Sequence, residues 1–167
     1  MRLARARRDE GEHPEMLPMD GAARARVSGP GLRTFRNVAD GWGLSERERI
    51  ALLGEPARST YHQWMKAARE GRGLSLPLDT LLRISGVLGV AEALGALFSS
   101  PAEALVWLKG PHRGAAFGGQ APLTVMLGGG QDGILTVRRH LEAWRAGGLR
   151  GTAEGVAPVR PEDLVFI

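Results

Sequence analysis

Between residues 32 and 144 the large apolar side chains recur at spacings of three and four and nowhere in sustained alternation. Such a chain has stripes to bury on helices and no half-buried strands. Leu32, Phe35, Val38, Ala39 and Trp42 form the first stripe, closed by Gly41 or Gly43. Ser45 stands three residues before Glu48, the capping-box spacing, and Ile50, Leu52 and Leu53 follow as a short second helix ending at Gly54. Pro56 suits the first turn of a third helix, which meets no breaker until Gly71. Asp79 predicts the cap of a fourth helix carrying Leu81, Leu82, Ile84, Val87 and Leu88, with Gly89 as its end, and residues 91–98 predict a separate fifth. Ser100, Pro101 and Glu103 repeat an N-terminal signature ahead of Ala104, Leu105, Trp107 and Leu108. A breaker-rich loop over residues 109–121 encloses one large apolar residue, Phe117. A short helix over residues 122–127 comes next. After three glycines follows a last helix capped by Asp132, with the stripe Ile134, Val137, Leu141 and Trp144, ended by Gly147 and Gly148. The predicted fold class is all-α.

Around these helices the chain divides into four parts. Residues 1–30 mix Arg, Ala, Glu, Gly and Pro without an apolar period and read as a flexible basic arm. Residues 31–99 form a first helical module, 100–148 a second, and 149–167 a tail whose end, Leu164, Val165, Phe166 and Ile167, is apolar. The absence of cysteine excludes disulfide frameworks, Cys-based zinc sites and thiol nucleophiles, and makes the cytoplasm the expected compartment. The arginine-rich start runs into an acidic and polar stretch where a secretory signal needs an apolar one. Residues 86–98 are too short for a bilayer and include Glu92, so no membrane span is expected. The net charge is a modest +4, yet of 22 basic residues only Lys66 and Lys109 are lysine. Arginine is the better ligand for phosphates and base edges, which invites a nucleic-acid reading.

Residues 45–69 give that reading a place. A short helix, a glycine-containing turn and a second amphipathic helix have the form that sets a recognition helix in a DNA major groove. On the third helix Tyr61, Trp64, Met65 and Ala68 fall within an arc of about 100° and are expected to pack. Arg58, Ser59, His62, Gln63, Lys66 and Arg69 occupy the opposite side. Arg58 and Lys66 suit phosphates or guanine, Gln63 suits adenine, and Ser59 and Thr60 at the helix start suit the DNA backbone. The candidate DNA-binding set is therefore Arg58, Ser59, Thr60, His62, Gln63 and Lys66. An enzyme needs convergent acids, bases or nucleophiles, and His13, His62, His112 and His140 have no metal-ligand spacing. No catalytic residue, metal site or cofactor is expected. The run from Gly128 to Gly133 lacks the Lys-Ser/Thr of a phosphate-binding loop and reads as a turn. Trp42, Trp64, Trp107 and Trp144 read as core anchors.

Over about residues 32–145 the chain resembles the antitoxins of the Xre, MbcA and ParS type, which partner RES-domain toxins. The first half of the resemblance lies in Trp42, Gly43, Leu44 and Ser45, then Leu52, Leu53 and Gly54, Arg58 to Tyr61, Trp64, Leu82 to Ile84, Leu88 with Gly89, and Leu97 with Phe98. The second half, similar to a C-terminal toxin-binding domain, lies in Trp107, Leu108, Pro111, Phe117, Gly118, Gly119, Pro122, Leu123, Met126, Gly129, Gly130, Val137, Arg138 and Leu141. Departures from the family pattern concentrate near the partner-binding part: His112 stands for a usual Asn, Thr124 for Asp and His140 for a common Tyr, and the stretch from Pro111 to Phe117 is slightly long.

The resemblance implies a dimeric antitoxin that covers the NAD-degrading active site of a RES-domain toxin and binds its own operator DNA. NAD would be the toxin's substrate, and this chain would be no enzyme. It also implies toxin contacts at Pro111, Phe117, Gly119, Pro122, Met126 and Arg138, with Leu123, Val137 and Leu141 assigned to the core because they lie on helix stripes. The apolar residues 164–167 are a second candidate contact. A stand-alone helix-turn-helix repressor without a toxin is the alternative supported by residues 45–69 alone, and a nucleotide-binding enzyme using the Gly128 turn lacks a base and a nucleophile.

Overall fold

A computed structural model describes residues 19–147, over which the chain forms seven α-helices and no strand. Helix α1 is Gly21–Gly41, α2 Glu46–Leu52, α3 Arg58–Glu70, α4 Leu78–Leu97, α5 Pro101–Lys109, α6 Pro122–Gly128 and α7 Gly130–Arg145. The all-α expectation holds for these residues. Most of the basic arm, His13 and the apolar residues 164–167 lie outside the described residues.

Helix α4 is the element on which the others assemble. Ile84, Val87, Val90, Ala93 and Leu94 are almost fully buried, and α1 and α7 both pack along it. Two glycines let α7 come close: a Cβ on Gly86 would lie 2.6 Å from Ile134 Cγ2, and one on Gly89 would lie 2.7 Å from Arg138 Nε. The expected helix end at Gly89 is thereby corrected. That glycine is an indentation for a neighbouring helix, and the fourth and fifth helices read from the sequence are one. The fused helix is 20 residues long and apolar enough to cross a bilayer by length and composition, unlike residues 86–98 alone; its buried side packs against α1 and α7, and Leu78 and Leu82 stay exposed.

The arm is corrected as well, because residues 21–30 are the first half of α1. Asp20 caps it, its Oδ1 accepting from the Ala23 amide at 2.7 Å. Pro30 lies inside the helix on its exposed side, where a missing amide hydrogen forfeits one helical bond. Ser28 compensates from the buried side: its Oγ donates to the Arg24 carbonyl at 2.6 Å and accepts from the Leu76 amide at 2.9 Å. This half of α1 is held by tertiary contact and not by an apolar stripe, which is why no period shows in its sequence.

Smaller shifts occur at helix starts. Pro77 is the N-cap of α4, while Asp79 sits in the first turn and pairs with Arg83 Nε at 2.9 Å. Gly129 precedes α7 and Asp132 lies in its first turn, where an acid favours the positive end of the helix dipole. Pro56 stands ahead of α3, whose N-cap is Ala57. The capping box at Ser45 and the Ser100 cap of α5 form as expected. One core joins Leu32, Phe35 and Trp42 with Leu52, Leu53 and Tyr61, and these with Leu108, Met126, Ile134, Val137 and Leu141, so the two helical modules share an interior.

Gly86→Ala should lower stability by about 1–3 kcal/mol in urea unfolding, because β-branched Ile134 cannot swing its Cγ2 away without leaving its helical rotamer. Adding Ile134→Leu, which removes that methyl branch, should recover part of the loss; strictly additive losses would assign the cost elsewhere.

Candidate functional site

Two surfaces gather the residues singled out in the sequence, the outer face of α3 and the aromatic joint between α5, the following loop and α7. Helix α3 is placed by its packed side. Tyr61 and Ala68 are buried, Trp64 and Met65 are half-buried, and burial raises the Tyr61 hydroxyl above its usual pKa. Ahead of α3, the capping box orients α2. Glu48 Oε2 accepts from the Ser45 amide at 2.7 Å, and Ser45 Oγ accepts from the Glu48 amide at 3.3 Å. The Ser45 amide, and then its hydroxyl, hold the Glu48 carboxyl below its ordinary pKa.

Of the residues read as DNA-binding, Arg58, Ser59, His62, Gln63 and Lys66 are exposed and Thr60 is half-buried. Sequence reading did not find Glu46. From the first turn of α2 its carboxylate meets Arg58 Nε at 2.6 Å and His62 Nε2 at 3.4 Å, tempering the N-terminal end of this face. No local signal marks that pairing, since it depends on the angle between α2 and α3.

The second surface is built around Trp107 of α5. His112 stacks on it at 5.1 Å and Nε2–H of His112 donates to the Trp107 carbonyl at 2.7 Å. Phe117 meets Trp107 edge-on at 5.8 Å and His140 of α7 at 4.7 Å, while Phe98 and Trp144 close the cluster at 6.1 Å each from Trp107. The loop is tied by its own backbone, with the His112 amide donating to the Gln120 carbonyl at 3.2 Å and the Gly119 amide to the His112 carbonyl at 2.9 Å. Burial, and then the proximity of His112, lower the His140 pKa from 6.5.

The residues implied as toxin contacts separate in this geometry. Phe117, Pro122 and Met126 are buried, so they shape the surface from beneath. Pro111 and Gly119 are exposed on the loop. Arg138 is half-buried, pairs with Glu142 at 2.7 Å and packs toward Gly89 of α4. Being two residues from His140, about 200° around α7, it lies away from the loop. Leu123, Val137 and Leu141 are buried. Val106 and Arg113 escaped sequence reading although both are exposed beside this joint, Val106 at 64%. Among the described residues no three His, Asp or Glu side chains come together as a metal site.

Residues 93–147 match the family described as the antitoxin Xre/MbcA/ParS C-terminal toxin-binding domain. Over 116 residues the chain is 40% identical to the uncharacterized protein y4oB of Sinorhizobium fredii (strain NBRC 101917 / NGR234), a stretch that covers 70% of this chain and 84% of that protein.

The depressed His140 pKa has a defined sign. As pH falls below 6.5 the unfolded chain takes up the proton first, so stability is lost from there down to the folded-state pKa and is unaffected above. Urea midpoints should therefore fall between pH 7 and pH 5, and His140→Phe, which keeps a ring against Phe117, should flatten that fall. An unchanged pH slope in the variant would place the titration at another group.

Proposed function

The chain belongs to the Xre/MbcA/ParS antitoxin family, and we propose that it binds and blocks the active site of a NAD-degrading RES-domain toxin and represses its own operon through α3. The observation that carries this reading is the match of residues 93–147 to a toxin-binding domain, since those residues fold into the aromatic joint and its loop. In this reading the antitoxin acts in the cytoplasm as a homodimer, by occupancy and without chemistry of its own.

Blocking an active site calls for a plug that loses little freedom on binding. The loop has the necessary rigidity, because main-chain bonds between His112 and residues 119–120 close it and Phe117 fixes its base in the core. Pro111, Arg113 and Gly119 are then the residues offered to the toxin, with Phe117, Pro122 and Met126 supporting them. Arg138 leaves the proposed contact set. On the other surface, Arg58, Ser59, His62, Gln63 and Lys66 offer donors for phosphates and base edges, with Thr60 at the margin. The exposed basic face of α3 also favours the second reading, a repressor without a toxin.

Co-expression with an adjacent RES-type gene should restore growth, and the two purified chains should co-elute. Failure to form a complex, with DNA binding intact, would leave the repressor. Gly119→Val should weaken rescue, because a β-branched residue is strained at φ +86°. We expect an affinity loss of roughly tenfold or more, and the same strain, about 1–3 kcal/mol, should lower the thermal midpoint by several degrees. Replacing Arg58 and Lys66 together by Ala should lower DNA affinity and reduce the salt slope by about two while leaving toxin binding intact. Unchanged DNA affinity would exclude α3 as the reading helix.

A further inference from the structure

Between α1 and α3 lies a cleft of about 210 Å³ whose walls carry Arg33, Arg36, Asn37 and Arg69 over a floor of Met65 and Ala68. Arg33 Nη1 donates to the Ala68 carbonyl at 3.0 Å, in the last turn of α3. That bond positions the guanidinium and leaves its charge in place. Of the nearby acids, Asp40 lies 2.7 Å from Arg49 and is shared with the cleft's Arg36 at 3.7 Å, while Glu70 lies 2.6 Å from Arg72. Among the described residues no ion pair involves Lys66 or Arg69. The outer face of α3 is thus asymmetric, with Glu46 neutralising its N-terminal end and nothing comparable at its C-terminal end.

We propose that this cleft seats a backbone phosphate of duplex DNA, beside the groove that α3 enters; the proposal rests on the reading of α3 as the DNA-facing helix. Length favours a phosphate over a base. The row from Arg58 to Arg69 runs about 16 Å along the helix, more than the roughly 12 Å width of a B-form major groove, so a helix with its middle over bases has an end against a backbone strand. Chemistry agrees, because guanidinium forks with an amide beside them match the oxygens of a phosphate diester, and a wall shared with α1 faces away from base edges.

The test uses the full chain, a duplex of the sequence directly upstream of its reading frame and an unrelated duplex of equal length, with anisotropy read across a salt series. Arg36→Gln with Arg69→Gln should weaken both duplexes by the same factor, roughly tenfold, and lower the salt slope by about two. Asn37→Asp, a single exposed change that adds a negative charge to the cleft, should weaken both likewise, with helicity unchanged by circular dichroism. Wild-type affinity and slope in these variants, while Arg58→Ala with Lys66→Ala still weakens binding, would overturn the cleft and leave α3 as the DNA-facing helix. Loss confined to the upstream duplex would overturn the phosphate assignment in favour of base reading. Loss of toxin binding with DNA binding intact would assign the cleft to a protein partner, and an unaltered chain that binds neither duplex would overturn both readings.

Discussion

The close approach of α7 to α4 at Gly86 and Gly89 is the constraint on which the rest of this structure depends. A Cβ on Gly86 would collide with buried Ile134, so the separation of the two helices is set at that contact, and half-buried Gly89 leaves room for the Arg138 side chain beside it. Ile134, Val137 and Leu141 thereby enter the same interior as Val87 and Val90. Once α7 is seated, His140 is carried to the loop and Trp107, and the aromatic joint closes around them. On the far side of α4, α1 packs and supports α3. The two candidate surfaces are therefore held by one central helix.

They are built on different physics. The α3 face is a row of exposed, charged and amide side chains whose energetics depend on long-range attraction and on salt. The loop surface owes its shape to buried rings and main-chain hydrogen bonds, and presents few charges beyond Arg113. A single carboxylate, Glu46, and a single serine, Ser28, show how each is tuned from outside its own element: Glu46 reaches α3 from α2, and Ser28 ties α1 to the residue that leads into α4.

Local chemistry was readable from the sequence at several contacts that span three or four residues. The Ser45 and Ser100 caps, the buried stripe of α7 and the packed side of α3 follow directly from spacing. Interactions between distant segments were not. Gly89 has the composition of a helix end and serves as a contact with α7, and residues 21–30 lack an apolar period because a buried hydroxyl, not a stripe, secures them. Phe117 could be placed in a loop by its glycine-rich surroundings, but its burial required knowing that Trp107 and His140 meet there. The exposed row on α3 was legible, and its pairing with Glu46 was not, because the angle between two helices is not written in either one.

A shared interior also has a thermodynamic consequence. With Leu53, Val90, Leu108 and Val137 in one core, neither surface can unfold while the other stays intact, so melting is expected as one cooperative transition. Any ligand that binds only the folded chain raises that transition by mass action, whichever surface holds it. Occupancy at one end of the molecule therefore protects the other end from unfolding and from proteases that cut unfolded chain, with no change of shape passing between them.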